Sequence, residues 1–234
     1  MKRIQLLLIA MLLIGFVATP NVVSAQVFTS YITGTQVMNL GATDASIILT
    51  YYRADDGSAS GGTQADQVSD SIPLNTSKTY FPAVSPFNGS VVISSSEPLG
   101  AIVNVQNSAA NAMGSYVGAS AGATGISLPL LMKNNGSVPY YTWFSIQNTG
   151  SVDTNVTIDY TDCTGTTDVT AVIKPNASKS FYQASEACHT AKVFAASITS
   201  SQPVVVVAME ENAKKILAYT GFKPADASQD IVMP

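Results

Sequence analysis

Gly118-Ala119-Ser120-Ala121-Gly122 satisfies the G-x-S-x-G pattern of a nucleophile elbow. Downstream come Asp153, Asp159, Asp162 and Asp168, then His189, the one histidine of the chain. A Ser, acid, His order is that of an α/β-hydrolase, in which the imidazole takes the serine proton and the carboxylate orients the ring. That chemistry needs the serine on a tight turn between a strand and a helix, exposed above a parallel sheet. Here the pentapeptide lies in a Gly/Ala-rich stretch between β segments, and in a chain rich in Ser and Gly the pattern arises by chance. The expectation is a loop serine, a solvated histidine, no catalytic residues and no enzyme.

The two cysteines, Cys163 and Cys188, suit a disulfide, the default for an exported chain. A zinc site would need a C-x-x-C or a second histidine beside His189, and neither is present. Asp55, Asp56, Asp66 and Asp70 fall in a Gly/Ser-rich segment and are candidate oxygen ligands for calcium. They lack the alternating spacing of a dedicated calcium loop, so a solvated loop from Asp55 to Asp70 is expected, with no metal and no cofactor. Tyr140, Tyr141 and Trp143 are candidates for an aromatic face that would bind carbohydrate, although such residues more often build a core.

The elements that must position these residues are set by composition and pattern. The 234 residues are 46% hydrophobic and only 11% charged, against roughly 25% charged in ordinary soluble domains. So apolar a chain, with a formal net charge of -4, buries enough surface to fold, and disorder is excluded. Nucleic acid is excluded as a partner, since Lys and Arg number 11 against 15 acids and phosphate binding needs clustered cations. Lys2 and Arg3, an apolar run from Ile4 to Ala18, and Val23-Ser24-Ala25 read as a signal peptide over residues 1–25, cleaved before Gln26. The run is too short to span a bilayer at roughly 20 residues, so no membrane span is expected in the mature chain. No cysteine follows the run directly, which removes a lipid anchor. The expected location is secreted or at the cell surface.

Period-two alternation dominates the rest. Ile47, Leu49 and Tyr51 share one face, as do Val156, Ile158 and Tyr160, so both runs read as half-buried strands. Asn88-Gly89, Asn135-Gly136 and prolines at 73, 82, 86, 98, 175 and 203 punctuate the runs as turn residues. Helical spacing is confined to Glu210 to Leu217, where Glu211 and Lys215 could pair one turn apart. The fold class is therefore all-β.

The chain also repeats itself. Val37 to Gly41 followed by Ile47 to Tyr51 matches Ile146 to Gly150 followed by Val156 to Tyr160. Pro73-Leu74-Asn75-Thr76-Ser77-Lys78 matches Lys174-Pro175-Asn176-Ala177-Ser178-Lys179 in Asn, Ser and Lys. Ile93 to Pro98 matches Ile198 to Pro203, and Tyr116-Val117-Gly118 matches Tyr219-Thr220-Gly221. An offset of roughly 100 residues is the size of an immunoglobulin-like sandwich. Two tandem antiparallel β-sandwich modules are expected, over residues 26–133 and 134–234. Ile126-Ser127-Leu128-Pro129 matches Ile231-Val232-Met233-Pro234 at the C-terminus, so the expectation is either a fragment of a longer repeat array or a second module closed by an abbreviated strand whose edge is open to strand addition.

The set Gln147-Asn148-Thr149-Gly150, the strand to Tyr160, Pro175-Asn176-Ala177-Ser178, Ser200-Ser201-Gln202-Pro203 and Leu128 to Asn135 resembles the tandem β modules of secreted surface proteins from Chloroflexi-type filamentous bacteria. The resemblance spans nearly the whole mature chain and implies location and architecture, with no chemistry. The first copy departs from the pattern in its Asp55 to Asp70 segment and in having no cysteines. The function expected is a non-catalytic structural or adhesive repeat protein of the cell surface, whose partners are other surface modules or itself. The alternative is an extracellular carbohydrate-binding module.

Overall fold

A computed structural model describes Phe28, residues 30–163, Gly165 and residues 168–229. The signal peptide expected over residues 1–25 and the C-terminal Ile231-Val232-Met233-Pro234 lie outside the described residues. The described chain is all-β, with one 3-10 turn at Pro224–Asp226. No helix among the described residues is long and apolar enough to cross a membrane.

Alternation sets the first strands. On β1 (Ile32–Asn39) Val37 is buried, and on β2 (Ala45–Arg53) Ile47, Leu49 and Tyr51 are buried while Ile48 faces solvent. β2 lies between β3 (Gln64–Ile72) and β5 (Gly89–Ser95) in a three-stranded antiparallel sheet. β1 lies between β4 (Ser77–Tyr80) and β6 (Leu99–Asn107), and β7 (Ala112–Val117) extends that sheet to four strands. The two sheets enclose a sandwich-like core of Val37, Ile47, Leu49, Tyr51, Ile72 and Tyr80. β3 corrects the expected loop: Asp66 and Asp70 sit on this strand, alternating with Gln67 and Ser69, because the run is paired with β2.

The C-terminal half begins with β9 (Tyr141–Asn148), β10 (Thr154–Tyr160), β11 (Val169–Ile173) and β12 (Ser178–Tyr182). One strand of 20 residues, β13 (Val193–Asn212), then serves both layers. Its residues 196–200 pair with β10, and its residues 204–211 pair with β9. Pro203, expected in a turn, lies inside β13 where its register against β8 (Ala123–Met132) slips between Thr199 and Val204. A proline has no N–H to donate, so it is tolerated where the ladder is interrupted. β8 closes the outer edge of β13, opposite β10. The sequence boundary at 133/134 thus falls between β8 and β9, which both pair with β13.

β14 (Lys215–Thr220) returns along the end of β13, and this corrects the helix expected over Glu210 to Leu217. Glu211 stands opposite Ile216 in a hairpin, and Asn212 Oδ1 accepts the Lys214 N–H at 2.9 Å to hold the turn. Ile216 is buried and Leu217 exposed, a period of two that suits a strand and not a helix.

Registers recur between the halves. Leu49 opposite Ile93 has its counterpart in Ile158 opposite Ile198, and Val37 opposite Ala101 in Ile146 opposite Val206. Asn39 and Asn148 are both fully buried. The Asn39 amide donates to the carbonyls of Thr43 and Ile72 at 2.7 and 3.0 Å, and that of Asn148 to Val152 and Ile173 at 2.8 and 3.0 Å. Each Oδ1 accepts a glycine N–H two residues on, from Gly41 and Gly150, at 2.8 Å. Each asparagine satisfies groups that burial would otherwise leave unpaired.

A third core joins the halves. Val103, Val105 and Ala112 from β6 and β7 pack with Met209 and Ile216 from β13 and β14, beside Phe28. Gly114 permits the approach, since a Cβ there would meet the Ile216 carbonyl oxygen at 2.8 Å. A second contact ties the Asp55 loop to the turn before β12. Asp55 N–H donates to the Ser178 carbonyl at 2.7 Å, and its carboxylate accepts the Lys174 N–H at 3.2 Å. Gly62, at φ +76°, lies so close that a Cβ would come within 2.9 Å of the Pro175 carbonyl oxygen.

Candidate functional site

The polar residues that converge most closely lie at one end of the C-terminal half. Cys163 follows β10 and Cys188 precedes β13, and the two form a disulfide. Bridging them forces their sequence neighbours Asp162 and His189 together. His189 Nδ1 lies 3.0 Å from Asp162 Oδ1, and Nε2 lies 3.0 Å from Gln183 Oε1. The other Asp162 oxygen accepts the backbone N–H groups of Thr190 and Ala191, both at 3.1 Å. The imidazole stacks on Phe194 with ring centroids 3.9 Å apart and meets the edge of Tyr160 at 4.8 Å.

The His189 side chain has no solvent exposure, which corrects the expectation of a solvated residue. Stacking on Phe194 and the bridge beside it close the ring off. Burial by itself would raise the Asp162 carboxyl, but the His189 hydrogen bond, the two N–H donors and the nearby His189 outweigh it, and the carboxyl titrates below its ordinary range. Burial pushes the Tyr160 hydroxyl up, and it also raises the Glu210 carboxyl on β13.

Gln183, fully buried and bonded to His189, has no sequence signal that marks it. Asp162 and His189 did have one: each adjoins a cysteine, so a disulfide between Cys163 and Cys188 must bring them together. Cys163, Cys188 and His189 also have potential ligand atoms within 4.8 Å of one another, the one such trio among the described residues. A sulfur committed to a disulfide is not a thiolate ligand, and both ring nitrogens of His189 already face protein partners.

The remaining candidates do not join this cluster. Ser120 lies in the connection between β7 and β8 and lines a groove of about 330 Å³ with Gly118, Val204, Thr220, Phe222 and Asp226. Of the candidate acids, Asp162 alone meets His189. Asp55 is held by Gly57 and Lys174, and Asp56 by the Ser58 N–H. Asp66 accepts from Gln67 and Ala83, and Asp70 pairs with Lys78 at 3.0 Å while accepting the Tyr80 hydroxyl at 2.9 Å. The four carboxylates thus bind different donors and form no common group of ligands among the described residues.

Trp143 is half-buried and packs against the core between the halves, with Tyr31 at 5.9 Å and Tyr182 at 6.0 Å. Tyr31 O–H donates to Glu211 at 2.5 Å. Tyr140 and Tyr141 are half-buried, and Tyr140 bridges back to Asn135. The three aromatics therefore do not form one platform, because packing between the halves takes the indole.

No protein-family model and no curated protein matches the chain. Among solved structures it is similar to the protein titled Crystal Structure of Thermotoga maritima 1070, from Thermotoga maritima, at 19% identity and a TM-score of 0.35, over 43% of this chain and 94% of that one.

Proposed function

We propose that the chain is a non-catalytic structural or adhesive unit of the cell surface, built as two immunoglobulin-like sandwiches in tandem. The observation that carries the reading is the agreement of strand register between the halves, pinned in each by a buried asparagine, Asn39 or Asn148. Repetition of one framework with different loops is how modular surface proteins extend their reach. The disulfide suits an oxidising compartment. The closest polar cluster is sealed by its own protein partners, which fits a structural role for Asp162 and His189.

The test is to express the full chain in its native host, fractionate the cells and treat intact cells with protease. The expected result is a chain beginning at Gln26, degraded from outside. Retention in the cytosol with residues 1–25 intact would overturn the location. Covalent labelling of Ser120 by a fluorophosphonate probe would overturn the non-catalytic reading.

A further inference from the structure

The bridge between β10 and β13 closes around atoms that suit a metal ion once the two sulfurs are parted. Cys163 Sγ lies 3.4 Å from His189 Nδ1 and 3.7 Å from Asp162 Oδ1, and those two atoms are 3.0 Å apart. Cys188 Sγ is within 4.8 Å of Cys163 Sγ and of a ring nitrogen of His189. Zinc bonds of about 2.3 Å to sulfur and 2.0–2.2 Å to nitrogen or oxygen put tetrahedral ligands roughly 3.4–3.7 Å apart. Cys163, His189 and Asp162 already stand near that spacing, and the bridge holds Cys188 beside them. The sequence offers no second histidine, and the fold supplies the Asp162 carboxylate in its place.

Both of the non-sulfur donors are oriented from behind. His189 Nε2 faces Gln183 Oε1 at 3.0 Å, so Nδ1 is the nitrogen turned toward the sulfur. Asp162 Oδ2 accepts the N–H groups of Thr190 and Ala191, both at 3.1 Å, which leaves Oδ1 directed inward. Metal-binding imidazoles and carboxylates are held in this way, by hydrogen bonds at the atoms that do not ligate. Phe194 and Tyr160 wall the ring, and the His189 and Asp162 side chains are 0% and 8% exposed. Only thiolates are wanting, and the disulfide withholds them.

We infer that reduction of the bridge converts this cluster into a site for a thiophilic divalent cation, zinc above all, with Cys163, Cys188, His189 and Asp162 as its ligands. Two thiolates with an imidazole favour zinc over calcium or magnesium, which take oxygen ligands. In the first step a dithiol reductant gives two electrons and two protons to the bridge and leaves as its own disulfide. The cation then binds both sulfurs as thiolates, while the two thiol protons and the proton between Nδ1 and Oδ1 pass to solvent. Either closure, sulfur to sulfur or both sulfurs to one metal, ties the end of β10 to the start of β13. The cluster thus holds these strands together under reducing conditions as well as oxidising ones.

The full chain is reduced with a phosphine, freed of reductant under argon, and titrated with cobalt(II), whose spectrum reports geometry and sulfur ligation, and then with zinc. Expected are one cobalt per chain, a tetrahedral spectrum with thiolate charge transfer, displacement by zinc, and a melting temperature that zinc raises above that of the reduced, metal-free chain. The oxidised chain should show none of these, and peroxide should release the zinc as the bridge re-forms. Asp162→Asn and His189→Ala should each change the cobalt bands, and Gln183→Ala should weaken zinc binding about 10–100-fold. X-ray absorption at the zinc edge of the unmodified chain gives the ligand set without any substitution, and two sulfurs with two lighter atoms are expected. A reduced chain that binds no metal, folded or not, overturns the inference. So do cobalt spectra of Asp162→Asn and His189→Ala identical to that of the unmodified chain, or a zinc shell of four sulfurs, since cysteines alone would then be the ligands. Equal binding by the oxidised chain also overturns it, by placing the metal elsewhere.

Discussion

The N-terminal and C-terminal halves share strand registers and buried asparagines but are closed to different degrees. Among the described residues the core of the C-terminal half contains 17 buried side chains and that of the N-terminal half 7. The surplus has identifiable sources. β8 contributes Ile126, Leu128 and Leu131, and β13 contributes Phe194, Ala196 and Ile198 beneath it. Phe144 and Phe181 stack at 5.4 Å, where the corresponding residues of the N-terminal half are Thr35 and Tyr80. One additional strand and a few larger side chains, on an unchanged hydrogen-bonding frame, separate a sealed core from a partly open one.

The largest effect should come from matched truncations at equivalent positions. Ile198→Ala should cost about 2–5 kcal/mol, because the cavity is enclosed by neighbours that cannot collapse into it. Ile93→Ala should cost less than half as much in the isolated chain, since that side chain already meets solvent. Equal losses by chemical denaturation would erase the contrast between the halves.

Removing the bridge comes next. Cys163→Ser/Cys188→Ser should destabilise the C-terminal half by about 3 kcal/mol on the chain-entropy model, leaving the N-terminal half unaffected. Hydrogen exchange resolved by segment would check this, with faster exchange expected in β10 to β12 and unchanged exchange in β1 to β3.

The asparagines sharpen the comparison from the other side. Asn39→Ala and Asn148→Ala each leave one buried carbonyl, of Ile72 or Ile173, without its donor, and should each cost about 1–3 kcal/mol, by similar amounts. A large asymmetry in the measured midpoints would mean that the shared frame is not energetically shared.

The smallest effect is set by pH. The folded Asp162 carboxyl titrates below its unfolded value, so the stability it contributes is fully present above the unfolded value, roughly 3.9, and is lost as pH falls through the folded one. Asp162→Asn should flatten the acid limb of the stability profile of the C-terminal half. An unaltered limb, followed by circular dichroism from neutral pH downward, would assign the acid sensitivity to other carboxylates.

The sequence made the strands legible where one face is buried, as at Ile47 to Tyr51 and Val156 to Tyr160, because alternation is a direct consequence of the pleat. The disulfide was legible from residue type and the export expected of the chain. Four features were not. Pro203 looks like a turn residue, yet β13 carries it through a break in the ladder that only its neighbours create. Glu210 to Leu217 offers helical spacing, and tertiary pairing with β9 along β13 overrides it. Asp66 and Asp70 look like loop residues because they are acidic, but β3 lies at a sheet edge where Lys78 and Tyr80 can reach Asp70. Trp143 is by type a candidate for a ligand face, and the core it packs against exists only once the two halves meet.

The disulfide has a mechanical consequence. β11 and β12 lie wholly inside the covalent loop between Cys163 and Cys188, a sequence separation of 25 residues. Tension applied through the ends of the chain crosses that loop by the sulfur bridge and bypasses both strands. The oxidised C-terminal half should therefore lengthen by roughly 80 Å less than the reduced one when pulled to full extension, given about 3.3–3.6 Å of reach per residue. Under such tension the bridge acts as a limit on stretch, and β11 and β12 keep their covalent tether after the strands around them have peeled apart.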